Sequence, residues 1–101
     1  MAYRERLSEL RVTLLVRLAG VQEQSGDLNA AIEALQEAVA SDPEHEEAQG
    51  LLMRLLVQAG RRHLALRHYQ ALQAALQREL EVEPAASLQA LYQDIRGGHP
   101  A

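Results

Sequence analysis

Apolar residues recur along most of this chain in steps of three and four, the spacing that gathers side chains on one face of an α-helix. The first stripe runs Leu7, Leu10, Leu14, Leu15, Leu18 and Val21. Gly20 interrupts it at a cost of about 1 kcal/mol relative to alanine, so a close packing contact is expected there. Ser25-Gly26-Asp27 then reads as a turn that stops the helix near Gln24, with Asp27 as the N-cap of the next one. A second stripe follows through Leu28, Ala31, Ile32, Leu35, Ala38 and Val39. Ser41-Asp42-Pro43 is expected to end it and to begin a third helix, with Asp42 as cap, Pro43 at the first helical position and Glu44 facing the positive helix end.

The third stripe carries Ala48, Leu51, Leu52, Leu55, Leu56 and Ala59 and stops at Gly60. The fourth carries Leu64, Ala65, Tyr69, Leu72, Leu76 and Leu80 until Val82-Glu83-Pro84 breaks it, because a residue before proline is pushed out of the helical region. Leu88, Leu91, Tyr92 and Ile95 mark a short fifth helix, expected to dock on the fourth by burying Leu91 and Tyr92. Residues 97–101 read as a flexible tail. No alternating strand pattern competes. The expected fold is all-α, an antiparallel helix-turn-helix array of about five helices.

The helices also repeat. Gly26 and Gly60 lie 34 residues apart, and the same offset relates Ala31 to Ala65, Leu35 to Tyr69, Ala38 to Leu72 and Leu18 to Leu52. That period is the signature of tetratricopeptide-type helix pairs, in which a glycine reverses the chain and a small alanine lets the second helix approach the first. One pair cannot bury its own apolar face, so pairs must stack. Pro43 and Pro84 depart from the period by being 41 residues apart, which predicts about two extra turns in the fourth helix.

Composition narrows the function classes. In 101 residues, 48% apolar and 24% charged, there is enough core for one small domain of residues 1–96, and no apolar run reaches the roughly 20 residues of a membrane span. The absence of cysteine removes disulfide scaffolds, thiolate metal sites and cysteine nucleophiles. Arg4, Glu5 and Arg6 interrupt any signal-peptide pattern, and a cytoplasmic protein is expected. Fourteen carboxylates against ten arginines give a net charge of −4, the wrong sign for a phosphate-binding surface.

Several stretches go beyond a generic repeat: Tyr3-Arg4-Glu5-Arg6-Leu7, Leu51-Leu52-Met53-Arg54-Leu55-Leu56, Ala59-Gly60-Arg61-Arg62 and Ala65-Leu66-Arg67-His68-Tyr69. Arg78-Glu79-Leu80-Glu81-Val82-Glu83-Pro84 and Leu91-Tyr92-Gln93-Asp94-Ile95 complete the set. Together they resemble the bacterial transcriptional activator domain, a tetratricopeptide-like module of SARP-type regulators such as antibiotic-pathway activators. The resemblance implies a module that mediates contacts rather than chemistry, beside a winged-helix DNA-binding domain elsewhere in the protein. Glu81 stands where the family usually has glycine, which predicts a differently shaped turn before Pro84. Met1 abuts the family-like helix, so an excised fragment or a stand-alone form is expected.

Candidate chemistry is sparse. His63 and His68 are five apart, about 140° around a helix, and His45 has no second histidine in reach, so no metal is expected. Ser8, Ser25, Ser41 and Ser87 lack any motif that activates a nucleophile, no phosphate loop is present, and neither an enzyme nor a cofactor is expected. Glu44-His45-Glu46-Glu47 reads as a complement to a helix dipole, and Arg61-Arg62 as favouring a helix carboxyl end.

The inner faces of the repeats' first helices remain. By the repeat register these present Thr13, Val16, Gly20, Glu23 and Gln24 on one helix and Glu47, Gly50, Arg54, Val57 and Gln58 on the other. Val16, Glu23, Glu47, Arg54, Val57 and Gln58 are the expected partner-binding set, with Arg54 reading charge and the mixture suiting a peptide or helix in a groove, unless the fifth helix or the N-terminal turn caps that groove. The expected function is a non-enzymatic interaction or oligomerisation module of a transcriptional regulator, a homodimer among its possible assemblies, reaching DNA only through another domain. The alternative is a stand-alone peptide-binding adaptor.

Overall fold

The computed structural model describes residues 2–97, with side chains from residue 6 onward. Five helices follow one another: α1 Ala2–Gln24, α2 Leu28–Ser41, α3 Glu46–Gln58, α4 Arg62–Leu80 and α5 Ala86–Arg96. Strands are absent among the described residues. The helices form two antiparallel pairs, α1 with α2 and α3 with α4. The pairs stack through α2 and α3, and α5 lies against α3 and α4. The result is a tetratricopeptide-like slab of 42 × 36 × 17 Å.

The 34-residue period is a period of backbone hydrogen bonds. Gly26 at φ 86° and Gly60 at φ 79° take the left-handed conformation that ends a helix without a Cβ penalty. Asp27 N–H donates to Gln22 O at 2.8 Å and Gly26 N–H to Glu23 O at 3.0 Å. One period later, Arg61 N–H donates to Leu56 O at 2.7 Å and Gly60 N–H to Val57 O at 3.0 Å. Both are complete Schellman caps. Asp27 caps α2 as expected, accepting from Ala30 N–H at 3.1 Å.

The entry to α3 differs from the expectation. Asp42 closes α2 instead of opening α3, and its Oδ1 accepts from Glu44 N–H at 3.2 Å within a turn. His45 is the N-cap, its Nδ1 accepting from Ala48 N–H at 3.1 Å. Gln49, buried, pins the turn by donating to Pro43 O at 2.9 Å. The local turn captures Pro43 and Glu44, so Glu46 and Glu47 are the carboxylates in the first helical turn.

Helix α4 has 19 residues against 14 in α2, so it outruns its repeat equivalent by five residues rather than seven. The remainder goes into the link to α5. Glu81 sits there at φ 56°, ψ 39°. The glutamate adopts the left-handed geometry a glycine would take, so the turn keeps that shape at a cost of roughly 1–2 kcal/mol. Buried Leu88 and Ile95 anchor α5, while Leu91 and Tyr92, the expected anchors, are half-buried. Tyr92 stacks on Tyr69 with ring centroids 4.0 Å apart.

Charge holds both ends of α5. Glu46 Oε2 accepts from Ala85 N–H at 2.9 Å at its amino end. At its carboxyl end Arg62 Nε donates to Ile95 O at 2.7 Å and Nη2 to Arg96 O at 2.9 Å. Anion at the positive end and cation at the negative end is the arrangement a helix dipole favours. Arg62 thus serves the end of α5, not the end of α3 beside it in sequence.

The largest departure concerns α1. An amphipathic stripe ordinarily turns toward the core. Here Leu7, Leu10, Leu14, Leu18 and Val21 are 46–64% exposed, and α1 buries Val12 and Ala19 against α2 with Leu15 and Val16 half-buried beside them. Gly20 is exposed with no atom within 4 Å of where a Cβ would stand, so it makes no close contact. In the tail, Gly97 is the C-cap of α5, and residues 98–101 lie outside the described residues.

Candidate functional site

The inner face is built from α1, α3 and the start of α5. His45 fixes where α3 begins, and that sets which of its residues face α1. Thr13, Val16 and Arg17 of α1 and His45 and Glu47 across from them line a cleft of about 270 Å³. A second cleft of about 220 Å³ lies between α3 and the α5 entry, lined by Glu46, Glu47, Gly50, Leu51, Arg54, Ala85, Ser87 and Leu88. Glu47 belongs to both. The two clefts therefore form one shallow, charged face.

Charges on this face differ in how free they are. Glu46 is held by its bond to Ala85 N–H. Glu47 and Arg54, seven residues apart and so two helical turns along one side of α3, are both exposed. Arg17 is also exposed and adds a second cation on the α1 wall. Apolar contact comes from Val16 and Leu51, both half-buried, so a ligand has some hydrophobic surface between the charges. Clefts of this size suit side chains of a protein ligand better than an enclosed small molecule.

Of the expected partner-binding residues, the structure brings Val16 and Glu47 together in the first cleft and Glu47 and Arg54 together in the second. Glu23, Val57 and Gln58 line neither. Glu23 and Gln58 are exposed near the helix ends, and Val57 is half-buried against the core. Gly50, read from the register as part of the inner face, lines the second cleft but is buried. Leu88 packs into the space its missing side chain leaves, and a Cβ there would stand 2.9 Å from Leu88 Cδ2. Helix α5 thus covers the middle of α3 and leaves its flanks open.

Sequence reasoning allowed for the fifth helix over this groove but missed Arg17, His45 and the particular residues of the α5 entry as parts of this face. For Arg17 the signal was present, since it is the neighbour of Val16 on α1. For Ala85 and Ser87 there was none, because only the docking of α5 brings them to α3. Among the described residues, no three His, Asp or Glu side chains gather as metal ligands. His68 is half-buried beside Leu64, Arg67 and Ala71 of α4, and desolvation lowers its pKa. Burial raises the Tyr69 pKa, with the charges of Glu83 and Glu46 and the Tyr92 hydroxyl adding to it. Both shifts follow from packing.

Two Schellman-capped helix pairs, stacked and closed by a clamped fifth helix, define a helical-repeat module of the tetratricopeptide-like class. The particular family follows from comparison with known families. The family model described as the bacterial transcriptional activator domain matches residues 1–96, and the chain belongs to that family. Its family is that of domains associated with transcriptional activators. No curated protein and no solved structure matches the chain. Among the described residues, no helix is long and apolar enough to cross a membrane.

Proposed function

We propose that this domain is a non-enzymatic protein–protein interaction module of a bacterial transcriptional regulator, acting in the cytoplasm, with DNA contact supplied by a separate domain. The observation that carries this reading is the exposed pair Glu47 and Arg54 on the flank of α3, facing two adjoining clefts. Opposite charges on a rigid helix, with Val16 and Leu51 between and beside them, suit an amphipathic helix or an extended peptide. The net charge of −4 supports the division of labour, because a surface rich in carboxylates repels phosphates.

The test keeps the regulator whole and separates two readouts. Arg54→Glu and Glu47→Arg reverse exposed charges, so the fold tolerates them. Each should lower transcript output several-fold while promoter occupancy, measured by immunoprecipitation, stays level. Unchanged output in both variants would contradict the reading. So would salt-sensitive binding of the isolated 101-residue chain to promoter DNA. A native gene product no larger than this chain would favour the peptide-binding adaptor instead.

A further inference from the structure

Helix α5 is gripped by its ends more than by its sequence. The hydrogen bonds under 3 Å that tie it to the stack are all made by backbone: Ala85 N–H to Glu46 Oε2, and the carbonyls of Ile95 and Arg96 to Arg62. Gln70 Nε2 also reaches the Tyr92 hydroxyl, but at 3.4 Å. Glu46 and Arg62 thus meet the positive and negative ends of a helix of 11 residues, about 16 Å long, whatever side chains it carries. Side-chain recognition is confined to one face. Leu88 enters the space left by Gly50, where a Cβ would stand 2.9 Å from Leu88 Cδ2. Glycine weakens the interior of a helix such as α3, and what Gly50 provides in return is this socket. Tyr92 lies on Tyr69 with ring centroids 4.0 Å apart, and Ile95 is buried seven residues after Leu88.

The helix is also lightly committed to the fold. It buries Leu88 and Ile95, where α2 buries six residues and α3 seven. Its N-cap, Ala85, supplies no side-chain bond, so the amino end depends on Glu46 of α3. Residues 82–85 before it have no regular structure, and buried Pro84 ties that link to the stack. We propose that the seat of α5 on α3 and α4 is a helix-binding site in its own right, filled by α5 and open to exchange with a helix of a partner protein. The seated helix defines the partner's chemistry. It is an amphipathic helix of about three turns with a leucine near its start, an aromatic residue four positions on and an aliphatic residue seven on. Exchange leaves α5 tethered at Pro84, and the tethered competitor scales the partner's apparent affinity by the fraction of time the seat is open. The site lies beneath α5, and it holds whether or not the flanks carrying Glu47 and Arg54 take a partner.

A labelled peptide of residues 84–97 is the probe, and fluorescence anisotropy reads its binding to the full 101-residue chain. Leu88→Asp in the chain unseats α5 and empties the socket, so the probe should bind at least tenfold more tightly than to the unaltered chain. Adding Gly50→Leu should abolish that binding by filling the socket, and a probe carrying Leu88→Asp should bind neither chain. In the unaltered chain, α5 amides should exchange as a unit and faster than those of α2 and α3. Equal affinity with and without Leu88→Asp would overturn the proposal, as would binding that survives Gly50→Leu. So would α5 amides that exchange no faster than those of α2 and α3. A Leu88→Asp chain that loses helices α2 and α3 would overturn it too, because α5 would then be core and not an occupant.

Discussion

Two truncations of similar size separate the buried from the outward apolar positions. Ile95 is 2% exposed where α5 meets the stack, and Ile95→Ala removes three carbons from that site. At about 0.8 kcal/mol per buried carbon the transfer loss is about 2.4 kcal/mol. A residual cavity adds about 24 cal/mol per Å³, bringing the range to about 2.5–4 kcal/mol. The terminal position of α5 sets the ceiling, because a helix that can undock relieves any larger penalty by local unfolding. Leu14→Ala also removes three carbons, but from a side chain that is 63% exposed. Alanine is the better helix former, so that change stays within about 0.5 kcal/mol. The assay is urea denaturation followed by circular dichroism, at concentrations where sedimentation shows monomer. Equal losses for the two variants would refute the packing of α1, because they would place the leucine row in the core.

Glu81→Gly should stabilise the fold by about 0.5–1 kcal/mol in the same assay, since glycine relieves the left-handed strain and gives back part of the gain as unfolded-chain entropy. Arg62→Met keeps the stem of the side chain but removes the donors to Ile95 O and Arg96 O, so α5 amides should exchange faster while those of α2 and α3 are unaffected. His68→Gln bears on pH. Burial lowers the folded-state pKa of His68, so the unfolded chain takes up its proton first as pH falls. Native stability therefore declines through about pH 6.5 and levels off below the folded-state value, and the glutamine variant should lack that part of the slope in denaturation curves.

The elements were readable because their signals are local. Gly26 with Asp27 and Gly60 with Arg61 set the turns through bonds that span six residues, and the helical period needs nothing distant. The third cap was misread because Asp42 and Pro43 are locally competent to start a helix. The turn that holds them is tied by the side chain of Gln49, six residues after Pro43, which the cap signals at Asp42 and Pro43 do not take into account. Burial was harder. The periodicity of α1 shows that its leucines share a face, but which face packs depends on α2, and Val12 and Ala19 are the residues buried there. On the concave face, Val16, Glu47 and Arg54 could be placed from the repeat register. That Leu88 fills the space above Gly50 could not, because α5 lies outside the repeat.

The claim on which most depends is that the leucine face of α1 lies outside this chain's own core. Methyl signals of the isotope-labelled chain, followed as a soluble paramagnetic agent is added, test it at residue level. The account predicts strong broadening at Leu10, Leu14 and Leu18, with Leu35, Leu52 and Leu72 staying sharp. Protection of the α1 leucines equal to that of Leu35 and Leu52 would contradict it.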